Sequence, residues 1–192
     1  MKKSIYVRGP ALSQSGYGEQ TRFALRALKA NENIFDVFIQ PITWGRTGWI
    51  WEDNEFRDWM DDRIATTQAM IGNKTLQPDM SLQITIPSEF QKIAPVNIGY
   101  TAGIEATLAS PKWLEAGNQM NKILVVSNHA KNSYVNTVAK AQNNETGEVT
   151  DYRLQTPTEV VWENTLREEP EEIDGLHLDF DFNFLIVSQM GP

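Results

Sequence analysis

The first forty-two residues restrict the fold more than any other part of the chain. A β-like run, KSIYVR over 3–8, hands over to the small-residue stretch GPALSQSGYG, then to an amphipathic segment, then to a second β-like run, IFDVFIQPI over 34–42. Gly9-Pro10 stops the first run, because proline has no N–H to give to a ladder. From Glu19 to Lys29, Phe23, Ala24, Ala27 and Leu28 recur at helical spacing and form one apolar face. Strand, helix, strand is the opening of a parallel βαβ unit.

The rest of the chain continues the alternation. MSLQITIP (80–87), VNIGYTAG (96–103), KILVVS (122–127) and TEVVW (158–162) read as strands, and KILVVS has the near-continuous apolarity of a strand covered on both faces. PKWLEAGNQM (111–120) reads as a helix with Ser110 as cap and Pro111 at its first position. HAKNSYVNTVAKA (129–141) reads as another, capped by Ser127 or Asn128. Between them lie a Trp-rich loop with a short amphipathic helix over 43–64, a separate helical piece at TTQAMIGNK, and a polar hairpin or loose loop at QNNETGEVTDYR. The expected class is α/β, a Rossmann-like, mostly parallel sheet flanked by helices. Residues 1–165 form that domain, 166–181 are an acidic linker punctuated by Pro170 and Gly175, and 182–192 are the first strand of a further domain.

Composition narrows the chemistry. With 25 Asp and Glu against 17 Lys and Arg, the net charge of −8 argues against nucleic acid as partner, since phosphate neutralisation needs clustered cations. The absence of cysteine removes disulfides, thiolate zinc and a cysteine nucleophile. Two histidines far apart, His129 and His177, make a histidine metal site improbable, so no metal is expected. No stretch approaches the roughly 20 apolar residues of a membrane helix, and no signal-peptide core is seen, so a cytoplasmic location is expected.

Gly16, Tyr17, Gly18 and Glu19 stand where the first strand gives way to the helix. The glycines admit positive φ and close backbone approach, and a helix start offers free N–H groups and a positive dipole end. Either a ligand or a plain tight turn explains them. Glu19 competes with a phosphate for the same dipole, which favours sugar hydroxyls or a neutral group over a phosphate. A dinucleotide fingerprint is weak, because the third glycine position holds Thr21 and the second strand ends at Gln40 with no acid for a ribose.

Tyr100, Thr101 and Glu105 lie at or just beyond a strand's carboxyl end, where open α/β sheets collect ligands. Glu105 is the candidate catalytic carboxylate, a general base or acceptor-orienting group, against the alternative of a solvated loop acid. Ser127 and Asn128 end the next strand, as helix caps or cleft contacts. Trp44, Trp49 and Trp51, with glycines between them, suit either a sugar-stacking platform or a hydrophobic lid.

Three stretches in order, GPALSQSGYGEQTRFALRAL, NIGYTAGIEATLASPKWLEAGNQMNKILVVSNHAKNSYV and FNFLIVSQMGP, resemble the amino-terminal half of GT-B glycosyltransferases of the retaining family-4 type. The likeness leaves out the insert around 43–75 and the polar loop around 141–156. It implies a two-domain transferase that works without a bound metal or cofactor. The first domain holds a carbohydrate or other hydroxyl acceptor, and the second holds the nucleotide-sugar co-substrate. The family's donor-gripping basic pair and acid pair do not follow Pro192, and its customary histidine is replaced by Tyr100-Thr101-Ala102-Gly103. The resemblance therefore implies an acceptor-side half, inactive alone. A non-catalytic binding or assembly module of the same fold is the other expectation, and an unpaired last strand makes a homo-oligomer plausible.

Overall fold

The structure is a computed structural model and describes residues 2–102, 106–142, 145–164, 174–180 and 182–184. In chain order its elements are β1 (Lys3–Gly9), α1 (Gly16–Lys29), β2 (Phe35–Pro41), α2 (Glu55–Gly72), β3 (Met80–Ile84), β4 (Val96–Thr101), α3 (Pro111–Gly117), β5 (Lys122–Val125), α4 (Asn128–Asn136), β6 (Ala139–Gln142), β7 (Val149–Tyr152) and β8 (Thr158–Val160). Among the described residues six strands pair, all parallel, in the order β2-β1-β3-β4-β5-β8. Four α-helices flank this sheet, and β6 and β7 make a separate antiparallel hairpin. The protein has a Rossmann-like α/β fold.

Register assigns the faces. Ile39, Val7, Leu82 and Ile98 sit side by side across four strands, and Ile84, Tyr100 and Leu124 form the next row on the same face. These residues share one core with Leu25 of α1 and Met60 of α2. α1 begins on Ser15, whose hydroxyl accepts from the Gly18 N–H, and it carries Glu19 in its first turn and Arg26 and Lys29 in its last, each suited to the helix dipole. α2 is locked to the edge strand by Thr67, whose hydroxyl accepts from the Ile39 N–H and donates to the Arg63 carbonyl.

The opposite face carries Ile123 and Val125, which pack with Leu114, Ala130 and Tyr134 in a second core. Between β3 and β4 it has no crossover helix. Residues 85–95, with one 3-10 turn at Pro87–Glu89, run across it instead, and buried strand side chains satisfy their backbone. Gln83 donates to the Gln91 carbonyl and accepts from the Gln91 N–H. The Asn97 side chain accepts from the Ile93 and Ala94 N–H groups and donates to the Ala94 carbonyl. Phe90 fills the space over Gly99, where any Cβ would lie 2.5 Å from the ring.

Several local expectations are corrected. α1 starts at Gly16 rather than Glu19, so both glycines are helical, and the positive-φ glycines among the described residues are Gly45, Gly147 and Gly175. The two helical pieces expected between 43 and 74 are one eighteen-residue helix, α2. The helix expected to run to Ala141 ends at Asn136, and Ala139–Gln142 joins the hairpin, because pairing with β7 satisfies backbone that an isolated helical turn leaves open. In β5 only Ile123 and Val125 are fully buried, while Lys122 and Leu124 are half-buried. Of the expected last strand, residues 182–184 are not in a strand and 185–192 lie outside the described residues, as do 166–173 of the linker.

Candidate functional site at the carboxyl rim

The chain moves from β1 to β2 in one direction, then returns past β1 to β3 and continues the other way. The carboxyl ends of β1 and β3 therefore flank the point where the order reverses, the place at which open α/β sheets form a crevice. Tyr17 spans that point. It projects from the first turn of α1, and its phenol donates to the Ala102 carbonyl at 2.7 Å, accepts from the Ala102 N–H at 3.1 Å and meets the Thr101 hydroxyl at 2.9 Å. The start of the first helix is thus tied to the end of β4, eighty-four residues away.

The two glycines beside Tyr17 differ. A Cβ on Gly18 would stand 2.2 Å from the Ser13 carbonyl oxygen and 3.0 Å from that of Pro10, so the loop after β1 folds directly onto this residue. Gly16 has open space where its Cβ would be. Glu19 turns back along its own helix, 2.6 Å from Arg22 and 3.8 Å from Arg26. The buried Arg22 guanidinium also donates to the Ala11 and Ser13 carbonyls, both at 2.9 Å, and so takes up backbone acceptors of the 10–13 loop.

The loop after β2 lies against the same turn. Ser13 and Trp49 form an antiparallel bridge, Gln14 N–H donates to the Gly48 carbonyl, and Ile50 N–H donates to the Leu12 carbonyl. Between the two loops is a recess of about 220 Å³ walled by Leu12, Ser13, Ile42, Trp44, Thr47 and Trp49. Trp44 is half-buried with its ring centroid 4.3 Å from that of Tyr17, whereas Trp49 is 67% exposed. Trp51, at 95% exposure, stands apart from the recess.

Across the sheet, among the described residues, the rim is more open. Ser127 caps α4 by accepting from the Ala130 N–H at 3.0 Å, and Asn128 is the exposed first residue of that helix. Tyr100 is buried under the segment that follows β8 and donates to the Val161 carbonyl at 2.8 Å. Burial, followed by the negative charge of Glu163, raises its phenol to about 12, against a small lowering from a Gln20 hydrogen bond. At neutral pH Tyr100 is a donor and not a base. A groove of about 510 Å³ lies beside it, between Phe23 and Ala27 of α1, Leu124 of β5 and the exposed Trp162.

The fold brings Gly16, Tyr17, Gly18, Tyr100 and Thr101 to one end of the sheet, with Ser127 and Asn128 further along the same rim. Glu105, the expected catalytic carboxylate, lies outside the described residues. Sequence reasoning missed Ser13, Thr47 and Arg22. Nothing marks the two hydroxyls, each in a loop that holds another serine or threonine, and an arginine on a helix reads as solvated until its partners are seen. Among the described residues no cluster of three or more His, Asp or Glu is placed to hold a metal ion, and no helix is long and apolar enough to cross a membrane. No protein-family model, curated protein or solved structure matches the chain.

Proposed function

We propose that the chain is the acceptor-side half of a sugar transferase, which moves a glycosyl group from a nucleotide-sugar to a hydroxyl acceptor when a donor-binding domain completes the cleft. The observation that carries this reading is the Tyr17 bridge. It fixes the first turn of α1 against the end of β4 at the strand-order reversal, so that the loops after β1 and β2 form one wall of a crevice. The order of motifs that resembles the GT-B amino-terminal half adds to it. A wall of this kind supplies positioning, which in transfer without covalent chemistry by the protein is the main contribution of the acceptor side.

In this proposal, Tyr17 and Thr101 shape the crevice floor, and the helix start at Gly16 lies beside the acceptor. Ser127 and Asn128 bound the far side. Glu105, following β4, orients or deprotonates the acceptor hydroxyl. The departing diphosphate is stabilised by the partner domain.

The experiment compares the 192-residue chain with the product of its reading frame extended past Pro192. The isolated chain should give no release of nucleotide from a panel of nucleotide-sugars above a buffer blank. The extended product should encode a second α/β domain with a basic pair and an acid pair, and should transfer sugar. A frame with no such domain, together with no transfer in the presence of cellular partners, favours a binding module instead.

A further inference from the structure

We infer that the recess between the loops after β1 and β2 is a binding subsite for a single uncharged sugar ring, with Trp44 as its stacking surface. The choice of carbohydrate rests on the proposed transferase reading; the place does not.

Size comes first. At about 220 Å³ the recess lies below the roughly 300–1,000 Å³ of pockets that take drug-sized ligands. The lining chemistry comes next. No charged side chain lines the recess, so nothing there compensates a phosphate or a carboxylate. What lines it is one half-buried indole, one exposed indole and hydroxyls from Ser13, Thr43 and Thr47. Indole faces cover the C–H faces of a pyranose, and hydroxyls with spare lone pairs meet its O–H groups.

The walls are also pre-set. Ser13 is 4% exposed; its hydroxyl donates to Ser15 Oγ at 2.9 Å and lies 2.6 Å from Thr47 Oγ1, which in turn donates to the Trp44 carbonyl at 2.7 Å. Gly45, at φ +52°, makes the turn that brings Thr47 back over Trp44, with the Thr47 N–H donating to the Trp44 carbonyl. Trp44 itself rests on Tyr17, and Tyr17 is held by Thr101 and Ala102. A ligand therefore meets a tryptophan whose orientation is fixed from behind by a residue anchored on another strand, which lowers the ordering cost of binding. The wall made by Trp44, Thr47 and Trp49 belongs to the Trp-rich insert that the family resemblance leaves out, so the place of the site depends on the side chains there and not on that resemblance.

The test titrates the full chain with glucose, galactose, mannose and maltose, following tryptophan fluorescence and amide chemical shifts. At least one sugar should saturate with a millimolar-range constant and move the amides of Ser13, Thr47 and Gly48. Trp44→Ala should weaken that sugar about tenfold, the scale of one aromatic stacking contact, while Trp44→Phe retains most of the affinity and Trp162→Ala all of it. If Trp44→Ala does not fold, Trp49→Ala, at an exposed ring on the rim of the recess, should weaken the same sugar and leave the thermal transition in place. No saturation by any of the four sugars up to about 50 mM overturns the inference, as does binding that survives Trp44→Ala or shifts confined to other amides. Sugar binding here without transfer by the extended product defeats the transferase proposal alone. Transfer without binding here defeats this one alone.

Discussion

The two ends of the carboxyl rim are built from the same kind of strand and differ in how their loops are held. At the β1–β2 end, backbone groups of two loops bond to each other, a buried arginine takes up two more carbonyls, and a glycine seats the turn against the helix. At the β5–β8 end, the chain leaving the sheet is held by the Val161 N–H on the Val125 carbonyl and by the Tyr100 phenol, with Trp162 left 64% exposed. The contrast separates a pre-organised wall from an open one. A ligand at the first end meets groups already fixed, whereas at the second it meets, among the described residues, the exposed Trp162 indole.

The largest effect that could break this comparison is expected at Gly18. Alanine gains roughly 1 kcal/mol of helix propensity over glycine, but its Cβ would sit 2.2 Å from a backbone oxygen that cannot rotate away. The clash outweighs the propensity, and Gly18→Ala should lose about 3 kcal/mol in chemical denaturation. Gly16→Ala, two residues earlier with no atom within 4 Å, is its control and should be neutral or stabilising by up to about 1 kcal/mol. Equal losses at both would show that the turn is not seated as described.

Arg22→Met comes next. It removes the donors to the Ala11 and Ser13 carbonyls and should cost about 2 kcal/mol, with faster amide exchange at Ser13 and Gln14. Tyr17→Phe keeps the ring against Trp44 but removes the phenol from Thr101 and Ala102. A loss of about 1–2 kcal/mol and an altered tryptophan emission are expected. An unchanged emission would mean that Trp44 is not held through Tyr17.

The smallest effect belongs to the open end. Tyr100→Phe should cost about 1 kcal/mol and loosen the segment after β8, visible as faster exchange at Val161. Its pH behaviour sharpens the point. The phenol ionises at 10.0 when unperturbed and at about 12 in the fold, so the folded value is the higher one. The stability that it contributes is complete below pH 10 and is lost as pH rises through about 12. A spectrophotometric titration should find Tyr6, Tyr100 and Tyr134 all held above an ordinary phenol by burial, and Tyr100→Phe should remove the step near pH 12 and leave the other two.

Much of the sheet was legible because strand signals rest on short-range apolar patterning and on the punctuation between runs. Gly9-Pro10 ends β1, Ser127 caps the helix that follows β5, and Pro111 opens α3. The misread segments were those whose backbone partners are distant. Ala139–Gln142 has acceptable helical spacing, and only the facing Val149–Tyr152 makes it a strand. The polar residues of β3 and β4 gave no hint of their task, since Gln83 and Asn97 are explained by a loop that replaces a helix.

By itself the sequence determined the class of fold, a mostly parallel sheet flanked by helices, because periodicity and caps act within a few residues. It also put Gly16, Tyr17 and Gly18 at a strand-to-helix junction. What those residues do was decided by tertiary structure. Gly18 accommodates the carbonyl of Ser13, Tyr17 reaches a strand eighty-four positions away, and Trp44 finds its backing on that tyrosine. Those relations depend on strand order, and strand order depends on which long-range pairings bury the most apolar surface and leave the fewest backbone groups unpaired.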